Sequence, residues 1–459
     1  MVGEEYRGGL LERFALRLTM WTERWIPDSY IFALVLTIVA LLLGVLVAGE
    51  SPHDMILAWG RGFWVLLTFS MQMVLILVTG FVLATTPPVH RFIVWLSTIP
   101  KTPKQAAVLL AAFSLITAYI NWGFSLIFSA LLAREIARKV READYRALVA
   151  TAYIGLGSVW HQGLSGSAPL LMATPGSMPK ELEQTYGIIP VTETIFLPQT
   201  ILTVVILSTI IVVTVYLYMP QRSTYQPPRE VLADYSLVAV EQPKVMTPAE
   251  RLMHSPILSI IIGLMGLYWL ANYFATAGGL AAINLNVVNF TFLMLGILLH
   301  WTPARLVAAV REATKASYGI ILQFPFYAGI FGMIQYTNLG KVLTELFVGI
   351  STQATYPLIV FLYSALLNMF VPSGGSKWLI EAPYILAAGK ELNVHLGYVV
   401  VSYGWGDAWT NLIQPFWALP LLGLTRLEFR DIMGYTTTLL IVEGITLSIL
   451  IPIMGLTLI

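Results

Sequence analysis

The sequence predicts an all-α polytopic membrane protein built as two inverted repeats, each with a re-entrant helical hairpin and a discontinuous helix. The expected total is about nine crossings plus two hairpins. Three observations predict this: apolar runs of membrane-spanning length, a lopsided distribution of Lys and Arg, and features that recur about 250 residues apart.

Composition sets the class. Of 459 residues 57% are hydrophobic and 11% charged, with a mean hydropathy of +0.76. Soluble chains carry roughly 25% charged residues. The runs Ile31–Ala48, Phe63–Ala84, Thr200–Tyr218 and Ile257–Phe274 are each long enough for a hydrocarbon core of roughly 30 Å. These runs point to the lipid bilayer, and a net charge of +1 points to no nucleic-acid or acidic partner. With no Cys in the chain, disulfides, thiol catalysis and Cys-ligated metal are excluded.

The basic residues give orientation. Six groups (7–24, 91–104, 134–146, 222–251, 305–315 and 426–430) hold 21 of the 26 Lys and Arg. By the positive-inside rule all six face the cytoplasm. Residues 1–27 read as a cytoplasmic amphipathic helix in the interface, with Leu10, Leu11, Phe14, Leu18, Trp21 and Trp25 on one side, not as a cleaved signal. Residues 105–133 lie between two cytoplasmic groups, so they enter and leave on one side. They are too few for two spans of about 20 residues. A re-entrant hairpin results, turning at Asn121-Trp122-Gly123.

The second half repeats the order. Ser114 and Ser364, Tyr153 and Tyr403, and His161 and Asn411 stand 250 residues apart, and Gln72 and Gln323 stand 251 apart. The first repeat covers 28–220, with its hairpin at 105–133 and broken helix at 147–172. A linker (221–255) and a connecting span (256–275) follow. The second repeat covers 284–459, with its hairpin at 357–389, interrupted at Pro372–Lys377, and its broken helix at 398–422. The odd connecting span inverts the second half, which puts the N-terminus in the cytoplasm and the C-terminus outside. Inverted repeats with discontinuous helices are the architecture of secondary transporters, with the ligand near the midplane.

Four interruptions therefore converge on a candidate site: two hairpin tips, and breaks at Trp160–Pro169 and Gly404–Pro415. Broken-helix N-termini present unpaired N–H groups that suit a carboxylate. Candidate ligand-binding residues are Asn121, Trp122, Gly123, His161, Gln162, Gly163, Ser165, Gly166, Ser167, Ser373, Gly374, Gly375, Ser376, Asn411 and Gln414. His161 and Asp407 are the candidates for cation coupling, since a charge inside a span is costly and functional by default. Lys377 and Glu381, four residues apart, are placed either to pair with each other or to leave Lys377 to attract an anion. Glu443 reads as a helix or subunit contact. Trp122, Trp160, Trp378, Trp405 and Trp409 are candidates for an apolar wall.

The residues that carry a resemblance are Trp25-Ile26-Pro27-Asp28, the Gln72 span with Leu77-Val78-Thr79-Gly80, Asn121-Trp122-Gly123, Trp160 through Ser167, and Pro372-Ser373-Gly374-Gly375-Ser376. Together they resemble the short-chain fatty acid transporter family over nearly the whole chain. That resemblance implies cation-driven uptake of small monocarboxylates such as acetoacetate or butyrate across a bacterial inner membrane. It also implies kinship with a wider ion-transporter superfamily whose dimers use an elevator motion, so a homodimer is expected. The Ser-Asn-Thr signature of that superfamily's paired sodium sites is absent from this sequence. The expected activity is a symporter, not an enzyme, with no cofactor beyond a coupling ion; H+ is favoured over Na+. The rivals are a di- or tricarboxylate carrier, which needs more Arg or Lys in the breaks, a channel, and an intramembrane hydrolase using His161 with Ser165.

Overall fold

The computed structural model describes residues 29–227, 246–315, 317–369 and 373–458. The expected amphipathic helix at 1–27, most of the linker and Pro372 lie outside them. Every regular element among the described residues is a helix. The first half comprises α1 (Ser29–Leu46), α2 (Pro52–Gly62), α3 (Leu67–Ala84), α4 (Pro87–Leu96), α5 (Pro103–Ile120), α6 (Trp122–Lys139), α7 (Tyr145–Ser158), α8 (Ser167–Met172), α9 (Lys180–Tyr186) and α10 (Pro198–Tyr218). After the linker come α11 (Pro248–His254) and α12 (Ile257–Thr276). The second half comprises α13 (Leu285–His300), α14 (Pro303–Thr314), α15 (Tyr318–Gln335), α16 (Leu339–Gly349), α17 (Tyr356–Asn368), α18 (Gly374–Glu391), α19 (Leu396–Thr410), α20 (Pro415–Thr425) and α21 (Phe429–Leu456).

Local chemistry sets these ends. Thr102 caps α5 by accepting from the Gln105 N–H, Asn121 caps α6 from Phe124, and Asp144 caps α7 from Ala147. Each relieves an orphan N–H of a first turn. The helices α3, α5, α10, α12 and α21 are singly long and apolar enough to cross a membrane. Others, such as α7 with 14 residues and α8 with 6, are shorter.

Helix starts recur along the chain. The helices α2, α3, α6 and α7 begin at 52, 67, 122 and 145; α14, α15, α18 and α19 begin at 303, 318, 374 and 396. The halves also exchange partners. The helices α1 and α2 pack on α15, while α13 and α14 pack on α3. Small residues make the crossing close. A Cβ on Gly62 would stand 2.5 Å from Ala328 O and 2.6 Å from Gly332 Cα, and one on Gly332 would stand 2.3 Å from Ala58 O. Such contacts between backbones are the small-residue packing of membrane helices.

Among the described residues, the basic groups 91–104, 134–146 and 426–430 come together at one end. Arg146 pairs with Asp431 at 3.2 Å, Lys139 Nζ donates to Val94 O and Ser97 Oγ, and Arg134 donates to Leu424 O. Because Lys139 reaches Ser97, both feet of the α5–α6 hairpin stand at this end. At the other end Gln353 donates to Asn393 O across the feet of α17 and α18, and Gln199 donates to Thr457 Oγ1. The arms of the first hairpin are 18 residues each, about 27 Å. They extend beyond the expected 105–133 because α5 starts at Pro103 and α6 continues through Arg134, Glu135, Arg138 and Lys139 to the basic end.

Single cysteines at Lys101 and Lys139, all exposed positions in a chain with no native Cys, are expected to react with an impermeant thiol reagent from the cytoplasmic side, and one at Lys390 from the outside. Opposite-sided labelling of Lys101 and Lys139 would remove the re-entrant hairpin.

Candidate substrate site

The first break is held by the hairpin tip. Helix α7 ends at Ser158, a tight turn covers Trp160–Gln162, and α8 starts at Ser167. The Leu164 N–H donates to Tyr119 O at 2.7 Å, and the Trp122 N–H donates to Ser165 Oγ at 3.0 Å. Glycine is required here by space. A Cβ on Gly163 would lie 2.1 Å from Tyr119 O, and one on Gly166 would lie 2.1 Å from His161 O. Gln162 Nε2 donates to Val401 O, tying the break to α19.

The second break is shorter than the Gly404–Pro415 expectation. Helix α19 continues unbroken through Thr410, and the chain departs from it only at Asn411–Gln414. Gly406 serves close packing instead: a Cβ there would stand 2.0 Å from Phe361 O of α17. Gln414 caps α20 by accepting from the Phe416 N–H. Asn368 Nδ2 binds this stretch at three acceptors, Asp407 O, Thr410 Oγ1 and Asn411 Oδ1.

Asp407 is thus presented from an intact helix, fully buried. Its Oδ1 lies 3.2 Å from Lys377 Nζ, and its Oδ2 lies 3.0 Å from His161 Nδ1. The Ala168 N–H donates to His161 Nε2 at 3.0 Å. A ring nitrogen that accepts carries no proton, so the hydrogen-bond pattern assigns the proton to Nδ1, which donates to Asp407. His161 is then neutral and Asp407 is balanced by Lys377. The pairing of Lys377 with Glu381 is not formed: Lys377 Nζ also donates to Ser364 O at 2.7 Å and Ser364 Oγ at 3.2 Å. Glu443 makes a helix contact, its Oε1 accepting from Ser158 Oγ at 2.5 Å.

A small cavity lies in front of this cluster. It is lined by Met73, Trp122, Leu156, Trp160, Ser167, Ile320, Phe324, Ser373, Gly374, Gly375, Asn411 and Trp417, with about 30 Å³ open to the centre of a water-sized sphere. Helix α18 points its N-terminus here. No side chain caps it; Ser373 instead receives the Ser376 hydroxyl at 2.5 Å. The Gly374, Gly375 and Ser376 N–H groups precede the first intrahelical donor, as in any helix. Eighteen residues of aligned peptides place about half a positive charge at that end. The indole Nε1 atoms of Trp122 and Trp160 are buried with no partner among the described residues, a cost that an acceptor in the cavity would relieve. A Cβ on Gly374 would meet Asp407 Oδ2 and His161 Cε1 at 2.6 Å, so the charged cluster stands directly behind the helix terminus.

The structure brings together Trp122, Ser167, Ser373, Gly374, Gly375 and Asn411 of the expected residues as cavity lining. Asn121, Gln162, Ser165 and Gln414 are spent on holding the breaks, as are the close approaches of Gly163 and Gly166. Gly123 packs on α3, where a Cβ on it would stand 3.2 Å from Ile76 O. Ser376 and Lys377 fall in the first turn of α18, not in an interruption. Of the tryptophans, Trp378 packs on Tyr403 and Trp409 donates to Leu440 O; these and Trp405 are away from the cavity. Met73, Leu156, Ile320, Phe324 and Trp417 are lining residues outside the expected set. Met73 and Phe324 directly follow Gln72 and Gln323, and that neighbourhood was the signal available.

Replacing Lys377 with Met leaves Asp407 buried without a cation, which costs about 3–5 kcal/mol. Thermal unfolding in detergent is expected to show Lys377→Met well below wild type. The double variant with Asp407→Asn is expected to recover much of the loss, a coupling that a double-mutant cycle measures. Additive losses would show that the pair contributes nothing.

The whole chain matches known proteins. The family described as short chain fatty acid transporter matches residues 10–454. A provisionally named short-chain fatty acid transporter of Escherichia coli K12 is 40% identical over 453 residues, covering 98% of this chain and 99% of the relative. One of the same name from Haemophilus influenzae is 38% identical over 437 residues, covering 94% and 97%. In fold the chain is similar to the YdaH transporter of Alcanivorax borkumensis, whose crystal structure has an unusual topology. The TM-score is 0.57 at 16% identity, covering 92% of this chain and 98% of that one. With its membrane-length helices and a match from end to end, the chain belongs to the short chain fatty acid transporter family.

Proposed function

We propose that this chain is a secondary active importer of short-chain fatty acids and related small monocarboxylates, of the acetoacetate and butyrate type, working by proton symport in a bacterial inner membrane. The observation that carries the reading is the uncapped N-terminus of α18 opening on a small cavity walled by Trp122, Trp160, Trp417, Met73 and Phe324. The N–H groups, with the Ser167 and Ser373 hydroxyls, suit one carboxylate; the aromatic wall suits a short acyl tail. Lys377 is already balanced by Asp407, and His161 is neutral. A second carboxylate would find no cation, and burying an unpaired charge costs several kcal/mol.

The two halves act as inverted repeats. Recurring helix starts, the exchange of α1–α2 and α13–α14, and hairpin feet at opposite ends support that reading. The hairpins and broken helices then move as one body against a scaffold of α1–α3 and α13–α15, in a homodimer. Bonds such as Gln72 Nε2 to Ser177 Oγ at 2.7 Å and the Leu285 N–H to Thr174 Oγ1 at 3.0 Å cross between those bodies and break in the motion. Coupling runs through Asp407 and His161, one residue's thickness behind the carboxylate.

Counterflow in proteoliposomes tests this. Inhibition is expected to strengthen from acetate to butyrate by ~0.8 kcal/mol per methylene, with succinate and citrate poor competitors. Tight competition by succinate with no effect of butyrate would overturn the substrate class. An imposed proton gradient is expected to drive accumulation where a sodium gradient does not. Asp407→Asn is expected to abolish accumulation while retaining exchange, and His161→Ala to lower affinity or shift the pH optimum. Concentrative uptake by the double variant at every pH would remove both residues from coupling.

A further inference from the structure

We propose that Trp417, in the first turn of α20, sets the longest acid this transporter accepts, by closing with Trp122 the wall between the binding cavity and a second, larger cavity. The proposal rests on reading the first cavity as the carboxylate site. That cavity has about 30 Å³ open to the centre of a water-sized sphere, room for about two or three waters. The second has about 480 Å³ by the same measure. Its walls are mostly apolar, with Leu77, Phe81, Phe416 and Leu424 among them, and Glu312 and Lys315 mark it as opening toward the basic end. Trp122 and Trp417 line both cavities, and their rings meet edge to face with centroids 5.2 Å apart.

The two rings are not equivalent. Trp122 is fixed: its N–H is bound by Ser165 and its ring packs on Trp160 with centroids 6.2 Å apart. It is also 4% exposed. Trp417 is half-buried on an 11-residue helix, with only Phe416 and Trp122 as ring partners among the described residues. An acid anchored by its carboxylate at Ser373–Gly375 runs its tail past Met73 and Phe324 toward this wall. Each methylene gained before the wall tightens binding about four-fold; the first one beyond it meets the indole and is rejected by overpacking. Removing the indole joins the cavities along an apolar path.

The test is competition against labelled butyrate by straight-chain acids from acetate to decanoate, on full-length wild type, Trp417→Ala and Trp417→Phe in nanodiscs at known free acid concentrations. Wild type is expected to peak at a short chain and fall beyond it. In Trp417→Ala the peak is expected to move to hexanoate or longer, with octanoate gaining at least ten-fold relative to butyrate. Trp417→Phe keeps a smaller ring and is expected to lie between, which preserves the test if the alanine variant fails to fold. The same chain-length profile in wild type and variants overturns the wall while leaving monocarboxylate transport standing. A wild type that shows no chain-length limit does the same. Binding of no monocarboxylate by any of the proteins overturns the functional reading and this proposal together.

Discussion

Three separate pieces of chain meet on one carboxylate. Asp407 comes from α19, Lys377 from the first turn of α18, and His161 from the break between α7 and α8. All three side chains are buried, and a buried charge needs its partner in place. Their relative positions are therefore fixed more tightly than apolar packing alone would fix them. The imidazole passes the constraint onward, since its second nitrogen accepts the Ala168 N–H and so sets where α8 begins. Gly374 makes the arrangement possible, because any Cβ there would push into Asp407 and His161. The free end of α18 is thus held in front of the cluster, and the cavity is where it is because the ion pair is.

Much of this was legible in the sequence. The run from Trp160 to Ser167 announced a break through glycines and serines, and the chain does leave the helix there. Asp407 stood out as an acidic residue in an apolar stretch, and it is buried and paired. What was hidden is instructive. Glu381 is the nearest acid to Lys377 by helical spacing, yet the lysine turns to a residue 30 positions away, and no local rule carries that information. Gly404 and Gly406 looked like part of a break because glycine interrupts helices and also permits close packing; only the contact of Gly406 with Phe361 O separates the two uses. Trp417 was invisible among 13 tryptophans, since its role depends on which cavities it divides.

The partition of labour within the site follows the same logic. Residues with the most suggestive side chains, Asn121, Gln162 and Ser165, each make one hydrogen bond to nearby backbone, while Asn121 Nδ2 and Gln162 Oε1 stay buried without a partner among the described residues. Most buried polar groups find a partner. What faces the cavity is mostly what the breaks leave over: helix N–H groups, two serine hydroxyls and aromatic rings. A site made this way offers oriented dipoles and apolar walls, and no unpaired cation among the residues that line it.

The exchange of α1–α2 and α13–α14 between the halves bears on how the chain is made. Helix α2 finds its closest backbone partner at Gly332 of α15, which is synthesised well after it. At about 5–20 residues per second, the stretch from Gly62 to Gln335 takes roughly 14 to 55 seconds to emerge. Through that interval α1 and α2 wait in lipid with their small-residue face unpaired, and α3 waits likewise for α13. Neither half reaches its final packing by itself. Each half completes the packing of the other, so biogenesis couples the halves before transport does.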